Sequence, residues 1–313
     1  MPDLIRAENL AKYFPVAAGK VHAVDDVSFS IGEGETLGLV GESGCGKSTT
    51  GRLLIRLIEP TSGRILYRGR DIASMGKGEL HNIRKEVQII FQDPFSSLDP
   101  RKSIGETIRK PLDIFGMGTK KDREEMTDRL MEKVGLSPRL YNKYPHELDG
   151  GRRQRVGIAR ALSLSPSFIV CDEPVSALDV SIQAQILNLL QELQETLKLT
   201  YLFVSHDLSV VKHISDRIAV MYIGKIVESA PSLELFRNTM HPYSQALLAA
   251  VPIPKLNRKR ERFILSGGVP SPINPPTGCR FHTRCPWKMD ICSREEPPLL
   301  DRGSGHLAAC HKL

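Results

Sequence analysis

The stretch TLGLVGESGCGKST, residues 36–49, joins a short apolar run to a glycine-rich loop that ends in Lys-Ser-Thr. The run Thr36–Val40 predicts a buried strand, and residues 41–49 match the pattern G-x-x-x-x-G-K-[ST] in the context of a strand followed by a helix. Glycines let a backbone wrap around phosphate oxygens, and the loop N–H groups and helix start point inward. The stretch therefore predicts a phosphate-binding loop on an α/β core.

Within this loop, Lys47 is expected to reach the β- and γ-phosphates of a nucleotide, and Ser48 is expected to ligate Mg²⁺. A chance glycine-rich turn is the alternative, and the strand–helix context argues against it. The predicted nucleotide-binding residues are Gly41, Glu42, Ser43, Gly44, Cys45, Gly46, Lys47, Ser48 and Thr49.

A second apolar run, Phe168–Cys171, ends in two carboxylates, Asp172 and Glu173. A nucleotide loop of this kind needs a metal-holding carboxylate at the end of a neighbouring strand, so Asp172 is predicted to hold Mg²⁺, directly or through water. Glu173 lies one residue further out, where it is placed to polarise a water as general base. An apolar strand that ends in Asp-Glu is common, so these two roles are predicted only because the nucleotide loop is also present.

Two further strand ends carry polar side chains. His206 follows the run Tyr201–Val204, and an imidazole beside a γ-phosphate can hydrogen-bond it and fix the attacking water. Gln92 follows the run Val87–Phe91, and its neutral amide can reach Mg²⁺ or water. The alternatives are a structural histidine and a surface amide that caps a turn.

The pattern along the rest of the chain is typical of a parallel α/β core with additions. Residues 1–40 are β-rich, Ser181–Lys198 predicts a long helix, and residues 100–165 show only helical patterns, as in a helical insertion. A hairpin is expected to turn at Ile223-Gly224. The predicted domains are residues 1–250, the main domain, and residues 251–313, a proline-rich linker with the basic run 258–262 and a cysteine-containing extension.

Composition sets few limits. The 313 residues carry 43 Lys and Arg against 36 Asp and Glu, and the net charge of +7 permits contact with nucleotides, nucleic acid or an anionic membrane without selecting one. No run approaches 18 apolar residues, and the opening MPDLIR has no signal-peptide pattern. The protein is expected in the cytosol, or at a membrane only through partners.

Four of the six cysteines, Cys279, Cys285, Cys292 and Cys310, lie in the last 35 residues. Disulfides are not expected in a reducing cytosol. Four thiolates can close a Zn²⁺ site or hold an iron–sulfur cluster, and their spacing does not decide between these or exclude a site without metal.

Taken together, GESGCGKST, Gln92 in FQDP, LDGGR at 148–152, VCDEP at 170–174, SALD at 176–179 and VSHD at 204–207 resemble the ATPase subunit of an ATP-binding cassette (ABC) transporter. The resemblance covers roughly residues 4–250. The segments HPYSQALL and PSPINPPTGCRFHTRCP are similar to the oligopeptide/dipeptide importer subfamily, in particular its second, F-type ATPase. That similarity favours a [4Fe–4S] cluster on the four cysteines, with Zn²⁺ as the alternative.

The resemblance implies further roles and partners. Thr49 joins Lys47 and Ser48 on phosphates and Mg²⁺, Gln92 senses the membrane subunits, Asp179 lies at a dimer contact, and His206 is the γ-phosphate switch. Phe14, or its neighbour Tyr13, stacks on adenine. The implied partners are a sister cassette, two membrane permeases and an extracytoplasmic peptide-binding protein, without nucleic acid, at the cytoplasmic face of the inner membrane.

The signature segment departs from the family pattern. Where the family has Leu-Ser-Gly-Gly-Gln, this chain has Leu148, Asp149, Gly150, Gly151 and Arg152. An ionised Asp149 only accepts hydrogen bonds, and two negative groups at ~4 Å repel by several kcal/mol when partly shielded from water. We therefore expect one of two ATP sites in a heterodimer to be impaired. Alternatively, Asp149 serves as a helix cap, and Arg152 compensates by neutralising Asp149 or by contacting the phosphate itself.

Two other classes of function stay open at this point. A soluble cassette ATPase acting on nucleic acid or ribosomes usually has two cassettes or a long insertion, which this sequence does not show. A metal-binding regulatory protein would make the tail the main function. Related importers also carry nickel or glutathione, so the transported solute is not fixed by the sequence.

Overall fold

The computed structural model describes residues 2–93, 95–250 and 267–313. The predicted linker therefore lies partly outside the described residues, which exclude 251–266 with the basic run 258–262. The described proline-rich stretch 269–276 has neither helix nor strand. The chain forms two compact units, residues 1–74 with 203–313, and residues 75–202.

The first unit begins with an antiparallel sheet in the order β2-β1-β4-β5. Its strands are β1 (Asp3–Val16), β2 (Gly19–Gly32), β4 (Ser62–Tyr67) and β5 (Arg70–Asp71). Buried apolar side chains recur along β1 and β2, but register shifts between the two strands interrupt a strict alternation. The β-rich prediction for residues 1–40 is confirmed, as is the antiparallel N-terminal subdomain.

The nucleotide loop follows a strand of a second sheet, part of which belongs to the same unit. Its strands β3 (Thr36–Val40) and β9 (Arg217–Tyr222) pair in parallel, and β10 (Lys225–Pro231) pairs antiparallel with β9. The predicted hairpin turns where expected, with positive φ at Ile223 (40°) and Gly224 (77°). The tail continues this sheet, because β12 (Leu307–Ala308) pairs with β10 and β11 (Leu300–Asp301) pairs with β12.

The helices of the first unit are few and short. The bounds are α1 (Lys47–Leu54), α7 (Leu208–Ile214), α8 (Ser232–Arg237), α9 (Pro242–Ala250) and a 3-10 helix at Asp290–Ser293. Among the described helices of the whole chain, none is both long and apolar enough to cross a membrane.

The second unit contains the helical insertion. Its elements are α2 (Lys77–Glu86), β6 (Val87–Ile90), α3 (Ile104–Ile114), α4 (Lys120–Lys133), two 3-10 helices (Pro138–Leu140 and Pro145–Glu147), α5 (Gly150–Leu162), β7 (Phe168–Asp172) and α6 (Val180–Leu197). Strands β6 and β7 pair in parallel. Strand β8 (Thr200–Ser205) crosses the division between the units.

Local sequence explains the helical insertion. Ser103 and Thr119 accept hydrogen bonds from the backbone N–H groups of the third residues of α3 and α4. The acidic side chains of those third residues in turn accept from the N–H groups of Ser103 and Thr119. The described residues between 100 and 165 contain no strand, so the expected helical character is confirmed. The parallel pairs β3/β9 and β6/β7 confirm the predicted parallel α/β core, whereas the 250/251 domain boundary stays a prediction.

Candidate functional site

The glycine loop follows directly from the wholly buried strand β3 and leads into α1. Gly46 has φ of 108°, and a Cβ there would lie 2.0 Å from the carbonyl oxygen of Ala23. Gly41 is equally constrained, since a Cβ would lie 2.2 Å from the carbonyl oxygen of Met221. Only glycine is compatible with both positions, because a side chain would displace backbone of the flanking strands.

Lys47 is held inside this loop. Its side chain is only 4% exposed, and its Nζ donates to the carbonyl oxygens of Gly41 (2.9 Å) and Glu42 (3.0 Å). The loop backbone therefore encloses the ammonium, and its contact with phosphate oxygens stays a prediction. Ser48 and Thr49 follow in the first turn of α1, whose cap residue Gly46 offers no side-chain acceptor to the helix N–H groups.

The two aromatic candidates for adenine stacking lie side by side near the end of β1. The Tyr13 hydroxyl donates to Asp25 Oδ1 at 2.5 Å, and its ring lies 4.6 Å from the His22 ring. Burial and this hydrogen bond raise the pKa of Tyr13 to about 12. Lys12 Nζ lies 5.1 Å from the centre of the half-buried Phe14 ring. Tyr13 is thus fixed by its hydroxyl, which leaves Phe14 the better candidate to receive a base.

His206 lies in the same unit, immediately after β8. Its side chain is exposed, and the next residue, Asp207, starts α7 by accepting from the Ser209 N–H at 2.7 Å. Strand and helix therefore fix the backbone on both sides of the imidazole.

In the second unit the structure brings Gln92 and Glu173 together. Gln92 Nε2 donates to Glu173 Oε2 at 3.0 Å. Glu173 has a positive φ of 48°, an uncommon conformation for a residue with a side chain. Asp172, which precedes it at the end of β7, is 1% exposed. The strand end thus separates a buried carboxylate from an outer one that bonds an amide, and the roles of metal ligand and base stay predictions.

Asp149 is the N-cap of α5. One oxygen accepts from the Arg152 N–H at 2.8 Å, and the other lies 3.4 Å from Arg152 Nε. Both side chains are more than half exposed, at 61% and 57%. The capping and compensation that the sequence left open as alternatives are both present. Asp179 occupies the N-cap position of α6, where it is exposed and makes no side-chain capping bond.

All four tail cysteines line one small cavity of about 20 Å³, beside Phe281, Trp287 and Met289. This space holds roughly one water molecule. Burial raises the pKa of the Cys279 thiol to about 11, which favours the protonated form. In the described part of the chain, no group of three or more His, Cys, Asp or Glu side chains is arranged to hold a metal ion. The four cysteines thus converge on one cavity, but nothing in the described residues supports the predicted iron–sulfur or zinc site.

Several contacts near the nucleotide loop were missed by sequence reasoning. Arg284 forks onto the Glu42 carboxylate, with N–O distances of 2.8 and 3.2 Å, and the Tyr243 hydroxyl accepts from the Glu42 N–H at 2.8 Å. These residues are about 200 or more positions from Glu42 in sequence. The only local sequence feature that draws attention to Arg284 is its position directly before Cys285.

A glycine loop that encloses a lysine, and a strand that ends in a buried aspartate followed by an amide-bound glutamate, are the features expected of an ATP-hydrolysing ABC cassette. The ABC transporter family model matches residues 24–176, and the model for the C-terminal region of oligopeptide/dipeptide transporters matches residues 227–292. The chain belongs to the ABC transporter ATP-binding proteins, in the oligopeptide/dipeptide branch.

Relatives and solved structures agree with this assignment. The chain is 52% identical to the oligopeptide transport ATP-binding protein AppF of Bacillus subtilis, covering 98% of this chain and 97% of the relative. It is also 52% identical to a probable peptide ABC transporter ATP-binding protein of Sinorhizobium fredii, over 98% of this chain and 89% of the relative. A dimeric cassette, MJ0796, in a post-hydrolysis state with ADP and phosphate, aligns with TM-score 0.68 and 29% identity over 73% of this chain and 98% of that structure.

Proposed function

We propose that this ATPase powers peptide uptake as the peripheral subunit of an importer at the cytoplasmic face of the inner membrane. The observation that supports this most is the 52% identity to peptide transport ATP-binding proteins over nearly the whole chain, tail included. Such an importer would contain a sister cassette, two permeases and an extracytoplasmic peptide-binding protein.

Co-purification tests this proposal against its rivals. The native complex is isolated through a tag on this chain in mild detergent, and its components are identified. Permeases together with a second cassette support the importer. Nucleic acid or ribosomal proteins in their place would favour the soluble cassette ATPase, and a chain that purifies alone would contradict the proposal.

For the reaction itself, we propose that loop residues 41–49 bind the triphosphate and that Lys47 neutralises the β- and γ-phosphate oxygens. Glu173 accepts a proton from the attacking water, and the Gln92 amide orients its carboxylate. His206 hydrogen-bonds the γ-phosphate. Phe14 stacks on the adenine.

The oxygen donors of Ser48, Gln92 and Asp172 suit a hard cation, and the buried Asp172 carboxylate supplies the charge. We propose these three as the Mg²⁺ ligands. Bound there, Mg²⁺ would draw negative charge from the phosphate oxygens.

We further propose that this chain works as a heterodimer with two unequal ATP sites. Asp179 would lie at the contact with the sister. The nucleotide bound by this chain would face the signature segment of the sister, while the nucleotide bound by the sister would face Asp149. The exposed Asp149–Arg152 pair is of a kind that contributes about 0–1 kcal/mol, less than the several kcal/mol of repulsion expected beside a phosphate.

The substitution Asp149→Ser is expected to activate the second site. Serine caps a helix as well as aspartate does, so α5 should persist, and its hydroxyl can donate to a phosphate. The experiment uses a reconstituted heterodimer in which Glu173→Gln disables the ATP site of this chain. Adding Asp149→Ser to this chain should then raise steady-state ATP hydrolysis at the sister's site about tenfold or more.

Asp149→Asn is the matched control for this experiment, because it keeps a capping oxygen and removes only the charge. We expect it to recover part of the gain. Unchanged hydrolysis in both variants would show that Asp149 does not impair the sister's ATP site. Near-normal turnover of the Glu173→Gln heterodimer before either change is introduced would show the same.

The metal content of the tail stays a prediction. The sequence resemblance predicts [4Fe–4S], and the arrangement of the described residues supports neither iron–sulfur nor zinc. Elemental analysis of the anaerobically purified complex separates the three outcomes. About four iron and four sulfide per chain would establish the cluster, one zinc would establish the alternative, and neither would match the structure.

A further inference from the structure

Two arginines of the tail reach the nucleotide-binding part of the first unit. Arg280 and Arg284 are 8% and 7% exposed, although arginine side chains are usually solvated. Arg280 directly follows Cys279 and Arg284 directly precedes Cys285. Each guanidinium meets a carboxylate from an N-terminal segment more than 240 residues away.

Arg284 holds the glycine loop through Glu42. Two nitrogens of the Arg284 guanidinium donate to the two carboxylate oxygens of Glu42, which fixes the orientation of that carboxylate. The hydrogen bond to Glu42 raises the pKa of Arg284 above its usual value. The Glu42 N–H donates to Tyr243, and the Glu42 carbonyl oxygen accepts from Lys47. Glu42 is therefore fixed at its side chain, its N–H and its carbonyl, and it links the tail to the phosphate-binding lysine in one step.

Arg280 contacts a different N-terminal carboxylate. It donates to the Ile223 carbonyl oxygen and to Asp25 Oδ2, while Asp25 Oδ1 accepts from the Tyr13 hydroxyl. Burial alone would raise the pKa of Asp25, but the Tyr13 hydrogen bond and the Arg280 charge lower it below the usual value. Asp25 is therefore an ionised link between the tail and the β1 segment that carries Phe14.

The segment between the two arginines is itself firmly packed. Phe281 is 1% exposed, and its ring centre lies 5.3 Å from Tyr222, 5.5 Å from Tyr243 and 5.8 Å from His241. A buried aromatic cluster of this size restricts the backbone on which both guanidinium groups are mounted. The tail thus presents its arginines from a fixed support.

We propose that the tail is a positioning element for the ATP site. Arg284 sets the glycine loop through Glu42, and Arg280 sets the adenine side through Asp25 and Tyr13. Neither is a catalytic residue; each shapes the site before nucleotide arrives. Loss of either pair leaves the loop with more conformations, only some of which bind ATP, so the effect falls on nucleotide affinity.

The test is a double-mutant cycle on Arg284 and Glu42 in the otherwise intact purified complex, read as Kd for labelled ATP and as KM and kcat of ATP hydrolysis. Arg284→Met and Glu42→Gln should each raise Kd and KM about tenfold with a smaller change in kcat. The double variant should be no weaker than the weaker single, because both changes break the same pair.

Arg302→Met is the matched control. Arg302 also belongs to the tail, but its guanidinium donates to the Leu313 and Cys310 carbonyl oxygens and stays within the tail. It should leave Kd and KM for ATP unchanged, even where it lowers the melting temperature. Arg284→Lys, which keeps the charge without the fork, should restore only part of the affinity.

An unchanged ATP affinity in Arg284→Met, or singles whose effects multiply in the double variant, would overturn the proposal. If Arg284→Met fails to fold, the Glu42→Gln variant alone decides through its affinity. This inference depends on ATP binding and not on the transported solute, so a failure to co-purify permeases would leave it standing.

Discussion

Glu173→Gln is expected to lower ATP hydrolysis by the reconstituted heterodimer at least about 100-fold, while ATP binding persists. The amide cannot take the proton from water, yet it matches the carboxylate in size and can still bond to Gln92. The second site would not compensate, because it faces Asp149. Steady-state phosphate release and labelled-ATP retention measure the two halves of this expectation.

The matched control is Glu192→Gln, an equal change of charge at an exposed position on α6 of the same unit. It should hydrolyse ATP at the normal rate. Near-normal turnover by Glu173→Gln would remove both the assignment of the base and the proposed asymmetry of the sites.

Glu228→Ala is expected to destabilise the first unit by about 3–5 kcal/mol. Glu228 is fully buried on β10 and accepts from the backbone N–H groups of Met240 (2.7 Å) and His241 (3.1 Å). Its Oε1 also lies 2.7 Å from Nε2 of His306, which is 1% exposed. Alanine would leave the buried His241 N–H and His306 Nε2 and the half-buried Met240 N–H without this partner, which is more costly than losing the bonds alone.

Chemical denaturation of the purified chain, followed by circular dichroism, measures this loss as a lower midpoint. Glu296→Gln provides the comparison, because Glu296 pairs with Lys225 at 2.7 Å but is 52% exposed. Exposed pairs contribute about 0–1 kcal/mol, so its midpoint should hardly move. Equal midpoints for both variants would mean that the tail contact through His306 does not stabilise the fold.

The sequence predicted the strand–loop–helix around Lys47 well, because each step has a local signal. Apolar runs give the strands, and glycines at 41 and 46 mark positions where the backbone of Met221 and Ala23 approaches too closely for any side chain. The N-cap role of Asp149 was equally local, since only the residues of its own helical turn take part.

The tail contacts could not be predicted, because nothing near Arg284 in sequence indicates that its partner is Glu42. Long-range pairs of this kind depend on how the pairing of β12 with β10 places the tail within the first unit. The cysteine spacing was also insufficient. The four thiols do line one cavity, as a ligand set requires, but the spacing alone does not determine whether their positions suit a metal.

The pairing of β12 with β10 bears on how this chain can be shortened. Strand β12 covers the outer side of the buried strand β10, with the register partners Glu228–Ala308 and Ser229–Leu307. Next to them, the Ala309 N–H donates to the Val227 carbonyl oxygen at 2.9 Å. A protein trimmed after residue 250 would display that row of backbone groups to solvent, and such bare margins invite intermolecular pairing and precipitation. The smallest well-behaved version of this cassette should therefore keep the final ten or so residues.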